Sequence, residues 1–196
     1  MNLQFLGDAL DYWKGSVFEV LQQSDLLRDF KVDTMASDSE DWQETDHRLY
    51  ARLLRIDQQQ LIAHKNTLSG NRSKYFKEIP INSDLFLDPD TGFKTGPVRS
   101  LPQYLTPAEF LDLLKPDRIV AVYQHVRAQK TRNRVEEVLK VLHRETSGFS
   151  CTSYESGTVA LLFFCLQNKR IEEIRDYFHE LLEKHASKRV GYWNVH

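Results

Sequence analysis

Short apolar runs alternate with amphipathic segments along this chain, and the alternation predicts an α/β fold. Apolar runs of strand length occur at residues 84–88, 118–123, 149–154 and 158–166. Apolar residues recur at helical spacing in residues 106–114, 126–143 and 171–184. Because strands and helices follow one another in this order, we expect a single domain over residues 1–196. Its fold would be a Rossmann-like three-layer sandwich, with a mostly parallel sheet and a C-terminal antiparallel hairpin.

The N-terminal part of the chain has a weaker pattern. Asp8 is placed to cap a first helix, and residues 28–35 alternate as a strand does. An acidic loop precedes a helical pattern at residues 46–54. The pattern of residues 35–84 as a whole does not determine its structure, or whether it covers a site. Beyond the last amphipathic helix we expect only a short aromatic tail.

Composition excludes few classes of protein. The 196 residues are 41% hydrophobic and 28% charged, with a formal net charge of -2, which suits one globular domain and gives no overall attraction to nucleic acid or membrane. The apolar run at residues 159–166 is too short to cross a bilayer, and residues 1–5 lack the basic start and apolar stretch of a signal peptide. Cys151 and Cys165 fall in strand-like runs, as reduced thiols do. We therefore expect a cytoplasmic protein with no membrane partner; its oligomeric state stays open.

The most informative stretch is residues 84–92, where a short apolar run ends in two carboxylates, a proline and a glycine. Ligands of open α/β sheets bind beyond the carboxyl ends of the strands, which is where Asp88 and Asp90 would lie. The pair could bind Mg²⁺ or Mn²⁺, or could divide into a metal ligand and a general base. Alternatively, Asp90 only caps the amides of a turn.

Two further groups of residues could join these carboxylates. His125 ends the next strand, and strands linked by a crossover are often neighbours, so His125 could act near Asp88 as an acid/base or as a ligand. Asp8, Asp11 and Lys14 share a helix face near its N-terminus. That face either adds metal ligands and a substrate contact, or is simply the solvated side of a capped helix.

A basic run at residues 127–134 carries four positive charges and no acid. Through Arg127 and Lys130 it could form one wall of a cleft for the phosphates of a nucleotide or nucleic acid, or it could be a solvated helix face. The chain contains no Gly-x-Gly-x-x-Gly, no Walker-type phosphate loop, no Cys/His zinc spacing and no Gly-x-Ser-x-Gly.

Three motifs resemble those of an uncharacterised group of bacterial proteins: Gly7-Asp8-Ala9-Leu10-Asp11, Asp88-Pro89-Asp90-Thr91-Gly92 and Tyr123-Gln124-His125. The resemblance covers most of the chain and implies no established activity. More distantly, the order of elements is similar to that of Rossmann-like methyltransferases that modify adenine N6 in nucleic acid. In those proteins a strand ends in an Asp-Pro-Pro-Tyr type motif that holds the target amine.

The methyltransferase resemblance implies S-adenosylmethionine as a cofactor. Here residues 88–91 occupy the corresponding place, with Asp90 instead of the second proline and Thr91 instead of the aromatic residue. The glycine-rich loop that cradles S-adenosylmethionine has no counterpart in the N-terminal half.

The leading hypothesis is a divalent-metal-dependent enzyme that acts on a phosphate ester, either a nucleotide or a nucleic acid. Asp88 and Asp90 would hold the metal with Asp8 or Asp11, and His125 and Asp90 would be the catalytic groups. The residues expected to contact the substrate are Lys14, Arg127 and Lys130. The alternatives are a methyltransferase-like protein, active or degenerate, and a non-catalytic binding module that uses the aromatic residues Trp42, Tyr192 and Trp193.

Overall fold

The computed structural model describes residues 1–37, 41–126 and 129–195. The α-helices in these ranges are α1 (Ala9–Gln23), α2 (Glu44–Leu53), α3 (Arg72–Lys77), α4 (Pro107–Leu113), α5 (Thr131–Glu145) and α6 (Asn168–Leu182). The strands are β1 (Lys31–Asp33), β2 (Leu85–Leu87), β3 (Gly92–Phe93), β4 (Tyr104–Leu105), β5 (Val120–His125), β6 (Phe149–Ser156), β7 (Val159–Cys165) and β8 (Val190–Val195). Short 3₁₀ turns lie at Leu3–Phe5, Gln58–Gln60, Leu101–Gln103 and Glu183–Lys188.

Within the described ranges, six strands form one mixed sheet in the order β1-β2-β5-β7-β6-β8. Strands β1, β2 and β5 are parallel, with Phe86 paired to Val32 on one side and to Ala121 on the other. Strand β7 lies antiparallel between β5 and β6, and β8 pairs antiparallel with β6. Strands β1, β2, β5 and β6 therefore point in one direction, and β7 and β8 in the other. The predicted α/β class is confirmed.

Helices cover both faces of this sheet. Phe86 and Ala121 belong to one buried cluster, together with residues of α1, α2 and α6. Their neighbours along the strands, Leu87 and Val122, belong to a second cluster with residues of α3, α4 and α5. Because successive strand residues point to opposite faces, the continuous apolar runs of β2 and β5 reflect burial on both sides.

Side-chain caps begin two helices where the sequence predicts them. The Asp8 carboxylate accepts hydrogen bonds from the backbone N–H groups of Leu10 and Asp11 at the start of α1. At α4, Thr106 and Glu109 exchange reciprocal side-chain-to-backbone hydrogen bonds of 3.3 and 3.0 Å, and Pro107 occupies the first helical position.

Other boundaries differ from the expectation. Helix α5 begins at Thr131 rather than at residue 126, so the basic run is divided: Lys130 is the N-cap, and Arg132 and Arg134 lie in the first turn. The residues expected to form a tail after the last helix instead form β8 at the edge of the sheet, because β6 offers them a free hydrogen-bonding edge. Residues of the expected polar loop pair as β3 and β4 in a small parallel sheet of their own. Asp38 and Glu40 of the acidic loop lie outside the described residues.

A buried ion pair joins the last helix to the amino ends of the central strands. Asp84, immediately before β2, accepts hydrogen bonds of 3.0 and 2.9 Å from the two terminal nitrogens of Arg170 on α6. The Asp84 carboxylate also accepts the backbone N–H of Ile119, and Arg170 also donates to the carbonyl oxygen of Leu26. This cluster lies at the amino ends of the strands, where it holds the fold together.

Candidate functional site

A pocket of about 150 Å³ lies at the carboxyl ends of β2 and β5, beside the first turns of α1. We call it the carboxyl-edge pocket. The residues predicted as site residues that line it are Asp8, Asp11, Lys14, Asp88, Asp90 and His125. The parallel pairing of β2 with β5 brings Asp88 and His125 to the same edge, and the packing of α1 adds the other residues from the N-terminus.

A network of buried polar side chains forms one wall of the pocket. The ammonium group of Lys14 lies 2.8 Å from Asp11 Oδ1 and 2.7 Å from Asp88 Oδ2. The Tyr50 hydroxyl donates a 2.5 Å hydrogen bond to the same Asp88 oxygen, and the Lys14 nitrogen lies 5.0 Å from the centre of the Tyr123 ring. These contacts replace the water that each buried charge has lost, and they hold the Asp88 carboxylate in one orientation.

The charge states of this network follow from its contacts. Burial by itself would lower the pKa of Lys14, but Asp88 and Asp11 together raise it above its ordinary value. Burial raises the pKa of Asp11, although Lys14 opposes that shift. Burial and the charge of Asp88 raise the pKa of Tyr50 well above its ordinary value, so the hydroxyl remains a donor. Lys14 is therefore a fixed positive charge rather than a base or a nucleophile at neutral pH.

Asp90 faces the same pocket in a different environment. Its Oδ2 accepts a 2.6 Å hydrogen bond from the Ser37 hydroxyl. Its Oδ1 lies 3.2 Å from the amino group of Met1 and, among the described residues, accepts no hydrogen bond. The Met1 amino group itself donates to the carbonyl oxygens of Thr34 and Asp88. Asp90 Oδ1 is thus a buried carboxylate oxygen that forms an ion pair with the Met1 amino group but accepts no hydrogen bond among the described residues.

Gln124, the centre of the Tyr-Gln-His motif, holds the turn that carries Asp90. Its amide nitrogen donates to the carbonyl oxygens of Thr91 and His125, and its amide oxygen accepts the N–H of Phe93 at 2.9 Å. Gly92 has a φ of +105°, and a Cβ there would lie 2.4 Å from the Gln124 amide oxygen. Gln124 was not among the predicted site residues. The sequence feature that could have revealed it is a polar residue within an otherwise apolar, buried strand.

His125 is half-buried at the end of β5. Its Nδ1 atom lies 3.3 Å from the Tyr123 hydroxyl. Since His125 lines the same pocket as Asp88 and Asp90, a ligand in the pocket could contact all three side chains. Its role as an acid/base remains a prediction.

The carboxylates predicted as metal ligands have other partners here. Asp11 and Asp88 share the ammonium group of Lys14, and Asp8 caps α1. Across residues 1–37, 41–126 and 129–195, no group of three or more His, Cys, Asp or Glu side chains is arranged to hold a metal ion. A metal at Asp88 and Asp90 remains a prediction.

The residues predicted to contact substrate are dispersed. Lys14 lines the carboxyl-edge pocket, but its ammonium group is paired with Asp11 and Asp88. Lys130 is exposed at the N-cap of α5 and does not line the carboxyl-edge pocket. Arg127 lies outside the described residues.

A larger cavity of about 350 Å³ lies beside the carboxyl end of β1. In its wall, His64 stacks on Tyr75 with ring centres 3.7 Å apart. The His64 ring nitrogens lie 3.3 Å from Asp33 Oδ1 and 3.3 Å from Glu78 Oε2, and the Tyr75 hydroxyl donates to Asp33. Burial would lower the pKa of His64, but Asp33 and Glu78 raise it above its ordinary value. This cluster was not predicted from the sequence. Most of its residues lie in the range 35–84, where the sequence pattern did not determine the structure.

Comparison of the chain with protein-family models, with curated proteins and with solved structures found no match. In the described part of the chain, no helix has the length and apolar character needed to cross a bilayer. The chemistry of the two cavities is therefore the basis for assigning a function.

Proposed function

We propose that this chain is a methyltransferase-like protein whose carboxyl-edge pocket binds an amine-bearing base, adenine, of a nucleotide or nucleic acid. The observation that carries the proposal is the position of Asp90. Its Oδ1 atom is buried in the wall of a pocket beyond the end of a parallel strand, and apart from the ion pair with the Met1 amino group it has no hydrogen bond among the described residues. An exocyclic amine is a donor that fits such an acceptor.

The strand order supports this class of protein. Three parallel strands are followed by an antiparallel strand, β7, inserted between β5 and β6, and helices cover both faces. This order of strands is similar to the way in which methyltransferase-like sheets close, and it suits a Rossmann-like three-layer sandwich. Ligands of such sheets bind at the carboxyl ends of the parallel strands, where both cavities lie.

The charge and size of the pocket support an amine-bearing base. Asp8, Asp11, Asp88 and Asp90 line it, against the two amino groups of Lys14 and Met1, so negative charge is in excess. A volume of about 150 Å³ is small for a whole nucleotide and suits one planar ring. The excess of acceptors favours a ligand edge that donates hydrogen bonds.

We assign the methyl donor to the cavity beside β1. S-adenosylmethionine, when bound, would supply the methyl group for transfer to the amine. Its cationic groups suit the carboxylate of Glu44, which lines the cavity, whereas Asp33 lies buried behind His64 and Tyr75 of the cavity wall. Met35, in the turn after β1, has a φ of +43°, a left-handed conformation that glycine favours, so a tight turn forms there without a glycine-rich loop.

Side chains of the protein would position the amine and accept its proton. Lys14 and Tyr50 hold Asp88 in place. The hydrogen bonds of the Gln124 amide to Thr91 and Phe93 hold the turn that carries Asp90. Asp90 would accept one N–H of the amine and orient its nitrogen. His125, in the wall of the same pocket, would accept the proton that the amine loses on transfer.

A second candidate is the divalent-metal-dependent enzyme acting on a phosphate ester. The observation that favours it is that Asp8, Asp11, Asp88 and Asp90 all line one pocket. On this candidate, Asp88 and Asp90 bind Mg²⁺ or Mn²⁺ through hard oxygen ligands.

Thermal melts separate the candidates. We expect S-adenosylmethionine at millimolar concentration, and separately adenosine monophosphate, to raise the Tm of the wild type, because a ligand selective for the native state stabilises it. The shift with adenosine monophosphate should disappear in Asp90→Asn. It should persist in Asp112→Asn, a matched control because Asp112 is exposed on α4. Transfer of a labelled methyl group to an adenine oligonucleotide would then test activity.

Other outcomes contradict the proposal. A Tm shift with Mg²⁺ or Mn²⁺ that is lost in the Asp88→Asn/Asp90→Asn double variant, without a shift from S-adenosylmethionine, supports the metal-dependent enzyme. No shift from any of these ligands supports the non-catalytic binding module.

A further inference from the structure

We infer that Phe5 is the residue on which the ligand of the carboxyl-edge pocket stacks, so that the pocket selects an aromatic amine over an aliphatic one. The inference rests on the proposed function, since it concerns the ligand of the same pocket. It adds a binding residue that contacts the face of the base, whereas Asp90 would accept a hydrogen bond from its edge.

The carboxylates of the pocket do not distinguish the two kinds of amine by themselves. An alkylammonium group pairs with a carboxylate as readily as the exocyclic amine of a base donates to one. The selection must therefore come from the apolar part of the lining. That part includes Phe5, Leu10, Pro89 and Tyr123.

Phe5 differs from the other apolar residues of the pocket because it is exposed. Its exposed fraction is 52%, whereas Tyr123 is buried. Single exposed apolar side chains are common on protein surfaces. Among the large ones in the described ranges, however, Phe5 alone lines the carboxyl-edge pocket. A ligand that covers this ring removes apolar surface from water, which favours binding.

The local structure keeps Phe5 at the pocket. Residues Leu3–Phe5 form a 3₁₀ turn ahead of α1. Leu3 and Leu6 pack against the buried cluster to which α1 contributes. The backbone N–H of Asp8, the N-cap of α1, donates a 3.2 Å hydrogen bond to the Phe5 carbonyl oxygen. The turn is thus anchored by its neighbours, while the Phe5 side chain itself remains exposed at the pocket.

A purine ring would use this side chain more fully than an alkyl amine would. Stacking of a base on an aromatic side chain is favourable for every base, because each base has a π-face. An alkyl chain gains only the burial of its methylene groups. Recognition would then be divided, with Phe5 in contact with the face of the ring and Asp90 in contact with the amine at its edge.

Isothermal titration calorimetry with two ligands tests the inference. Adenosine monophosphate represents the aromatic amine. The comparison ligand is 1,4-diaminobutane, whose ammonium groups can pair with carboxylates or lie over a ring. We expect the wild type to bind adenosine monophosphate about tenfold more tightly than 1,4-diaminobutane, a difference within the range of one base–aromatic stack.

Substitutions of Phe5 separate stacking from simple apolar contact. Phe5→Leu keeps a large apolar side chain but removes the π-face, and we expect it to weaken the binding of adenosine monophosphate by about tenfold. Phe5→Trp restores a π-face and should retain the wild-type affinity. Tyr12→Leu is the matched control, because Tyr12 is 56% exposed on α1 but does not line the pocket. The Tm of all three variants should stay close to that of the wild type, since both side chains are exposed.

Proton NMR gives a readout that a purely structural role of Phe5 would not change. Protons of a base that lies on the face of an aromatic ring shift upfield through the ring current. We expect the H2 and H8 resonances of adenosine monophosphate to move upfield when wild type or Phe5→Trp is added. The shift with Phe5→Leu should be much smaller.

The outcomes separate this inference from the proposed function. If adenosine monophosphate binds, but Phe5→Leu binds it as tightly or gives the same upfield shift, the inference is overturned and the proposed function stands. Binding of 1,4-diaminobutane as tight as that of adenosine monophosphate also overturns the inference. If adenosine monophosphate does not bind to the wild type, both proposals fail together.

Discussion

At the scale of single residues, Lys14 shows how strongly one side chain can depend on its surroundings. A lysine on an amphipathic helix usually keeps its ammonium group in water. Here the group is buried between Asp11 and Asp88, which lie on different elements. The three charges are acceptable in the interior only as a set, because each carboxylate without the ammonium would be a buried unpaired charge.

Replacing Lys14 should therefore destabilise the protein severely. We expect Lys14→Met to lower the free energy of unfolding by about 3–5 kcal/mol, since it leaves two buried carboxylates without their ammonium partner. Urea denaturation monitored by circular dichroism measures the change. Lys169→Met, at a side chain that is 86% exposed, should have little effect. Similar small losses for both variants would show that the network does not stabilise the fold.

His64 should make stability depend on pH. Burial opposes its charge, but Asp33 and Glu78 raise its pKa above the ordinary value, so folding favours the imidazolium. The contribution is fully present below the unfolded pKa of about 6.5 and is lost as the pH rises through the higher folded pKa. We expect His64→Gln to reduce the Tm more at pH 6 than at pH 9. An equal reduction at both pH values would contradict this account.

At the scale of elements, the contact between the Asp-Pro-Asp-Thr-Gly turn and β5 explains two of the three sequence motifs. Gln124 uses both ends of its amide to hold the backbone of this turn. Gly92 lets the turn approach it closely. The turn could be recognised from the sequence as a strand end, but its partner could not, because Gln124 lies more than thirty residues further along the chain.

Gly92→Ala should break this contact. Its positive φ disfavours any side chain, and the new Cβ would overlap the Gln124 amide, so we expect a loss of about 2–3 kcal/mol in unfolding free energy. Displacement of Asp90 should also weaken the binding of adenosine monophosphate. Gly96→Ala is the control in the same loop, because a methyl group at that position would meet no atom within 4 Å. Equal stability of the two variants in urea denaturation would show that the close contact between Gly92 and Gln124 does not stabilise the protein.

Elements with local signals were predicted more accurately than elements defined by pairing. Helix α4 carries a capping box and a proline at its first position, and it begins where the sequence predicts. Strand β8 has no such signal, since it exists only through its hydrogen bonds to β6. The start of α5 was placed five residues too early because Val126 continues the apolar pattern of β5.

At the scale of the whole molecule, both buried clusters draw residues from the two halves of the chain. Phe18 and Phe178 belong to one cluster, and Tyr75 and Phe149 to the other. The contact of Arg170 with Asp84 joins the halves again. One domain that unfolds as a unit stays a prediction, which unfolding measurements can test.

We expect Arg170→Met to cost about 3–5 kcal/mol of unfolding free energy because it leaves Asp84 buried without its partner. Wild type and variant should each unfold in one transition, with coincident curves from circular dichroism and tryptophan fluorescence. Arg48→Met, at an exposed side chain, is the control. Two separate transitions in the wild type would contradict a single domain.

Signals that act over a few residues were enough to determine the α/β class, the caps of α1 and α4, and the strand end at Asp88. Apolar runs and capping residues act on their immediate neighbours, so they can be recognised without the fold. Only the tertiary structure decided that Lys14 neutralises Asp88 across 74 residues of chain, that Tyr50 joins them, and that His64 lies beside Asp33. These contacts depend on which elements pack together, and side-chain burial and charge pairing are properties of that packing.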